Sequence, residues 1–128
     1  MKLNKVHHIA IIASDYARSL DFYTRVLGLT VIAENYRSER ESYKTDLALD
    51  GDYIIELFSF PNPPARVSRP EAAGLRHLAF EVDNIDTAIR ELDVKGIDHE
   101  LVRTDGYTGK RFVFFQDPDG LPIEFYEK

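Results

Sequence analysis

The 128 residues suffice for one compact domain or two tightly packed half-domains around a real core, at 44% hydrophobic and 30% charged content. A net charge of −6 argues against nucleic-acid binding, and no apolar run is long enough for a transmembrane helix. The absence of cysteine excludes disulfides, thiolate ligands and a cysteine nucleophile, and the N-terminus lacks the apolar stretch of a secretory signal, so a cytoplasmic protein is expected.

Val6 to Ala13 is an apolar run holding two histidines and reads as a buried strand. Ser14-Asp15 opens a helix on which Leu20, Tyr23 and Leu27 fall at helical spacing, up to Gly28 as its C-terminal stop. Leu29 to Ala33 reads as a strand, and the polar stretch from Glu34 to Lys44 as a loop or a solvated strand edge. Asp46 to Leu49 and Tyr53 to Phe60 form a hairpin across the Asp-Gly turn at Asp50-Gly51. Prolines at 61, 63, 64 and 70 exclude regular structure throughout the segment that follows, which reads as a linker.

The second half repeats this order. Leu75 to Val82 reads as a strand. Asp83-Asn84 caps a helix with Ile85, Ala88, Ile89 and Leu92 inward, ending before Gly96. Ile97 to Arg103 reads as a strand, and Thr104 to Lys110 as a loop. Phe112 to Gln116 and Leu121 to Tyr126 form a closing hairpin across Asp117-Pro118-Asp119-Gly120. Each half is thus β-α-β-β-β, an α+β arrangement: module one over about 4–60, the linker over about 61–73, and module two over about 74–127 of a single domain, 1–128.

The repeat extends to residues that carry chemistry. His8-Ile9-Ala10 recurs as His77-Leu78-Ala79 at an offset of 69, and Gly51…Glu56-Leu57-Phe58 as Gly120…Glu124-Phe125-Tyr126 with the glutamates 68 apart. The helix positions Leu20 and Tyr23 match Ile89 and Leu92 at an offset of 69. Each module therefore presents one histidine and one glutamate. Together His8, Glu56, His77 and Glu124 can form a four-ligand site for one divalent metal; imidazole plus carboxylate suits Zn, Ni, Co, Mn or Fe without choosing among them. Strand alternation puts His8, Ala10 and Ile12 on one face, matching His77, Ala79 and Glu81, so the repeat selects His8 over His7. His7 is expected to pack under the helix or to partner a backbone group. Glu56 and Glu124 lie among apolar neighbours, where an unpaired carboxylate costs several kcal/mol, so each needs a cation or hydrogen-bond donors.

Three motifs carry a family resemblance. They are His7-His8-Ile9-Ala10-Ile11 with Ser19-Leu20-Asp21-Phe22-Tyr23 through Gly28-Leu29, Gly74-Leu75-Arg76-His77-Leu78-Ala79-Phe80-Glu81-Val82-Asp83, and Asp117-Pro118-Asp119-Gly120 with Glu124. Together they resemble the vicinal oxygen chelate superfamily, and within it glyoxalase I-like (lactoylglutathione lyase-like) proteins. The resemblance implies two tandem βαβββ modules forming a cupped mixed sheet (the glyoxalase/bleomycin resistance/dioxygenase fold) around a divalent metal held by His8, Glu56, His77 and Glu124. It also implies that Glu124 is the base moving a proton between adjacent carbons, with Glu56 the second candidate. The metal would act as a Lewis acid on two vicinal oxygens of a small-molecule substrate, a hemithioacetal or related α-hydroxy carbonyl compound. A homodimer is expected, with the ligands drawn from one chain or from two.

The chain departs from the glutathione-dependent pattern, which places an arginine four residues after the first ligand and an asparagine four after the second. Ile12 and Phe60 stand there, so glutathione recognition is not expected. Rival readings are a dioxygenase, a thioester epimerase or a non-catalytic small-molecule binding module. Tyr107, Lys110 and Arg111, on the glycine-containing loop before the seventh strand, are candidate contacts for a substrate carboxylate or phosphate; a solvated hairpin loop is the alternative.

Overall fold

The computed structural model describes all 128 residues, in two compact units, Met1–Pro64 and Ala65–Lys128. The first holds β1 (Ile9–Ala13), α1 (Tyr16–Asp21), a π-helical turn (Phe22–Val26), β2 (Thr30–Arg37), a 3₁₀ turn (Ser38–Arg40), β3 (Ser42–Leu49) and β4 (Asp52–Ser59). The second holds β5 (Leu78–Val82), α2 (Ile85–Val94), β6 (Arg103–Thr104), β7 (Arg111–Gln116) and β8 (Pro122–Glu127). Both sheets are four-stranded, ordered β1-β4-β3-β2 and β5-β8-β7-β6. In each, the first strand runs parallel to the last and the remaining pairs are antiparallel. This is the βαβββ unit expected, made twice. No helix is long and apolar enough to cross a membrane.

Local chemistry sets the boundaries. Asp15 and Asn84 cap α1 and α2 by accepting the backbone N–H of Arg18 at 3.1 Å and of Thr87 at 2.9 Å. Asp50 and Gly51 both adopt positive φ, 50° and 85°, the requirement of the tight primed turn that Asp-Gly favours between β3 and β4. Asp117 organises the matching turn between β7 and β8, its carboxylate accepting the N–H groups of Asp119 and Leu121, both at 2.9 Å. One face of each sheet is buried, through Leu47, Ile55, Leu57 and Tyr23 in the first unit and Val113, Phe115, Ile123, Ile85 and Leu92 in the second. Along β4 the buried Ile55 and Leu57 alternate with Glu56 and Phe58, which lie on the opposite face.

Four sequence expectations are corrected. The first strand begins at Ile9, not Val6, because pairing with β4 begins at Ile9↔Ile55, and Val6 is exposed. Likewise β5 begins at Leu78, with His77 just before it. Residues 97–102 do not form a strand: a bridge from His99 to Phe115 and one bond from the Glu100 N–H to the Phe114 carbonyl are all that tie them to β7 before β6. The helix from Tyr16 is not α-helical to Gly28, since it widens into a π-helical turn after Asp21.

That turn accounts for a local change of offset between the halves, which is 69 again at Gly51 and Gly120. Tyr23 and Leu92 are 69 apart, whereas Gly28 and Gly96 are 68 apart, so module one has one extra residue within this span. Both helices nevertheless end on the same bond: the Leu29 N–H reaches the Tyr23 carbonyl at 3.0 Å, and the Ile97 N–H the Leu92 carbonyl at 2.9 Å. The wider π turn takes up the extra residue before β2 begins.

An ion-pair lock closes module two. Arg111 on β7 reaches Glu127 on β8 at 2.8 Å and Asp86 in the first turn of α2 at 3.2 Å, while Glu127 also accepts the Ile85 N–H at 3.3 Å. The Arg111 hydrogen bonds, then the Ile85 N–H, hold the Glu127 carboxyl down at about 2, below the ordinary 4.5. A depressed carboxyl pKa contributes stability that is complete above the unfolded value and lost as pH falls through the folded one. Arg111→Met is therefore expected to flatten the acid limb between pH 4.5 and 2 in thermal melts followed by circular dichroism, and an unchanged limb would contradict the lock.

Candidate metal centre

The parallel pairing of first and last strands brings each histidine to its glutamate. Ala10↔Glu56 and Ala79↔Glu124 are register partners, and His8 and His77 each lie two residues before their alanine. His8 Nε2 lies 3.9 Å from Glu56 Oε1, and His77 Nε2 lies 3.0 Å from Glu124 Oε2. The histidines are about one-third exposed and the glutamates mostly covered. Two donors bound side by side to one cation, with bonds near 2.0–2.2 Å, sit roughly 3.0–3.5 Å apart. The module-two pair already has that spacing, and the module-one pair is only slightly wider. Each pair sets an imidazole nitrogen beside a carboxylate oxygen, donor types that suit a divalent transition metal, and no three or more such side chains are grouped to hold one.

The modules surround their glutamates differently. Opposite Glu56 on β3 stands Asp46; opposite Glu124 on β7 stands Phe114. Lys44 Nζ lies 3.1 Å from Asp46 and 3.2 Å from Glu56 Oε2. The Tyr53 hydroxyl donates to Glu56 Oε2 and to Asp46, both at 3.0 Å. Three residues apart, Tyr53 and Glu56 would face opposite ways on a regular strand. The β3–β4 register shifts between Leu47 and Ala48, leaving Ile54 without a partner and turning Tyr53 to the glutamate's side. Burial, then hydrogen bonding to the Asp46 and Glu56 carboxylates, pushes the Tyr53 phenol well above its ordinary value, so it stays a donor. Hydrogen bonding to Asp46 likewise raises Lys44 and keeps it cationic.

Glu124 has no such company. Its partner is His77, whose ring meets Phe114 edge-on at 5.1 Å. Phe112 lies beyond Phe114 on the same face of β7, and Arg103 lies over both rings, 5.1 and 5.3 Å from their centroids. Glu124 is 8% exposed, a covered carboxylate against an aromatic wall.

His7 is corrected too. It is exposed rather than packed under the helix, and its Nδ1 lies 2.8 Å from His8 Nδ1. One ring nitrogen donates to the other, and that contact leaves His8 Nε2 turned toward Glu56. Tyr53 packs against both imidazoles, at 5.2 and 5.1 Å. Of the loop candidates, the Tyr107 side chain is fully exposed, Lys110 Nζ donates to the Lys128 carbonyl at 2.7 Å, and Arg111 serves the ion-pair lock. Asp46, Lys44 and Tyr53 were missed from sequence. The alternation of Lys44 and Asp46 along β3 was the available signal for two of them.

The profile of the Glyoxalase/Bleomycin resistance protein/Dioxygenase superfamily matches residues 5–125. The chain belongs to that superfamily. Among superfamily relatives, it is 62% identical over 128 residues to the uncharacterized protein YwkD of Bacillus subtilis (strain 168), covering all of both chains. It is 32% identical over 129 residues to the lactoylglutathione lyase of Shigella flexneri, covering 94% of this chain and 90% of that one. The crystal structure of a glyoxalase family protein from Enterococcus faecalis superposes with a TM-score of 0.92 at 46% identity, covering 99% of this chain and 100% of that one.

Proposed function

We propose that the chain is a metal-dependent isomerase or lyase of the glyoxalase I type. It would move a proton on a hemithioacetal or a related α-hydroxy carbonyl compound. The observation that carries this reading is the duplicated pairing of a histidine Nε2 with a glutamate oxygen, one pair set in a polar network and the other against an aromatic wall. Kinship with a lactoylglutathione lyase supports it.

His8, Glu56, His77 and Glu124 would hold the metal. When bound, the metal supplies Lewis-acid polarisation of the substrate's two neighbouring oxygens. The proton belongs to Glu124. Its carboxylate accepts the proton from the carbon bearing the hydroxyl, and the electron pair moves onto the adjacent carbonyl oxygen. The same carboxyl returns the proton to that neighbouring carbon while the hydroxyl's proton passes to the former carbonyl oxygen, so that hydroxyl and carbonyl exchange places. Atoms and charge balance with no further reactant. Glu124 suits this role because no lysine or tyrosine holds it, and because it is a largely buried carboxylate with Phe114 opposite it on β7. Glu56, held by Lys44 and Tyr53, suits a fixed ligand.

The thiol of the substrate is not expected to be glutathione. Ile12, half exposed, and Phe60, stacked on Phe58, offer no charge or hydrogen bond where the glutathione pattern needs them. The test is elemental analysis of the untagged protein, then an isomerase assay on methylglyoxal adducts of several thiols after adding Ni, Co, Zn or Mn. About one metal per four-ligand site with turnover on an adduct other than glutathione's is the expected result. Metal without turnover on any adduct would remove the activity. Failure to bind metal under every reconstitution would overturn the reading.

A further inference from the structure

The geometry points to Tyr53 and Lys44 as positioning residues that hold Oε2 of Glu56, so that Glu56 offers a metal its Oε1 alone. The inference rests on the metal reading above and extends it to a division of labour between the two glutamates.

Both groups converge on the same oxygen. The Tyr53 hydroxyl is 3.0 Å and the Lys44 ammonium 3.2 Å from Oε2, while Oε1 is the oxygen that faces His8. Asp46 anchors the two donors from behind, at 3.0 Å to Tyr53 and 3.1 Å to Lys44. A donor with a second acceptor is fixed in direction, and it keeps a partner when the carboxylate shifts toward a cation. His7 does for His8 what Tyr53 does for Glu56, holding the far ring nitrogen and leaving Nε2 free. Outer contacts of this kind set ligand orientation, and their loss typically lowers metal affinity by ~10–100-fold.

Module two is the internal control. Lys44 and Asp46 correspond, at an offset of 68, to Phe112 and Phe114, and Tyr53, which lies before the bulge, to Pro122 at an offset of 69; none of these side chains can donate to a carboxylate. The β7–β8 register runs without the shift that turns Tyr53 inward. The apparatus was therefore built at one copy of the repeat only. One glutamate is pinned, and the other can turn between metal and substrate.

The experiment is Co(II) titration of the whole chain followed by visible absorption, which reports the number and arrangement of donors. Tyr53→Phe retains the ring against His7 and His8 and removes only the hydroxyl. It is expected to weaken Co(II) binding by ~10-fold or more and to change the spectrum, because the released oxygen can enter the coordination sphere. Lys44→Met is expected to do the same, and Lys44→Arg, which keeps the cation, to restore the wild-type spectrum. Thermal melts check that each variant folds. Spectra of Tyr53→Phe and Lys44→Met superimposable on that of the wild type would overturn the assignment, whatever the affinities. Wild-type protein that takes up no Co(II) would overturn the metal reading itself, so the two failures are told apart by the wild-type titration.

Discussion

Glu124→Gln is expected to keep its metal and lose turnover by ~10²–10⁴-fold, the usual contribution of a positioned general base. The amide has nearly the shape of the carboxylate, and its carbonyl oxygen can still face His77, 3.0 Å away in the wild type. It cannot accept the substrate proton at neutral pH. No neighbour on its own sheet can replace it: Phe114 lies opposite on β7, and Pro122 stands where module one has Tyr53. The measurement is kcat on the best adduct, normalised to metal content. Wild-type turnover at full metal occupancy would remove Glu124 as the base.

His77→Ala is expected to lower metal affinity by at least ~10–100-fold, since even outer contacts cost that much and an imidazole ligand contributes more. The variant also strands a carboxylate. Glu124 is 8% exposed and His77 is its only close polar side chain, so the metal-free variant should melt below the metal-free wild type. His99→Ala is the matched control. His99 is bound to Asp93 at 2.8 Å and to the Glu100 carbonyl at 2.8 Å, apart from both His–Glu pairs, and its loss should leave metal binding unchanged. Equilibrium dialysis with a competing chelator measures all three proteins. Unchanged stoichiometry and affinity in His77→Ala would sink the ligand assignment.

The βαβββ order of each module was legible because its signals are local. Capping side chains, an Asp-Gly pair and runs of branched residues act over a few positions. The two His–Glu pairs were legible because the module occurs twice and comparison replaced guesswork. What escaped were departures from regular geometry. Alternation puts Tyr53 on the wrong face, and only the unpaired Ile54 brings it to Glu56. Val6 and His7 look like strand residues, but a strand needs a partner, and β4 supplies one only from Ile9 onward. The stretch 97–102 is apolar enough for a strand yet leaves Leu101 exposed, with one bridge and one bond to β7. The partnership of Lys44, Asp46 and Glu56 crosses two strands, so it depends on a register that no short window of sequence contains.

The π-helical turn has a consequence for which length changes this architecture survives. At a helix exit, one additional residue costs a single widened turn. Inside β4, upstream of Glu56, the additional residue is Ile54, and the bulge there leaves Ile55 and Glu56 in the same register as Ile123 and Glu124. Indels between the copies are thus filtered by where they fall. The spacing from His8 to Gly51 equals that from His77 to Gly120, so the one extra residue before Glu56 lies beyond the turn, where the bulge at Ile54 takes it up.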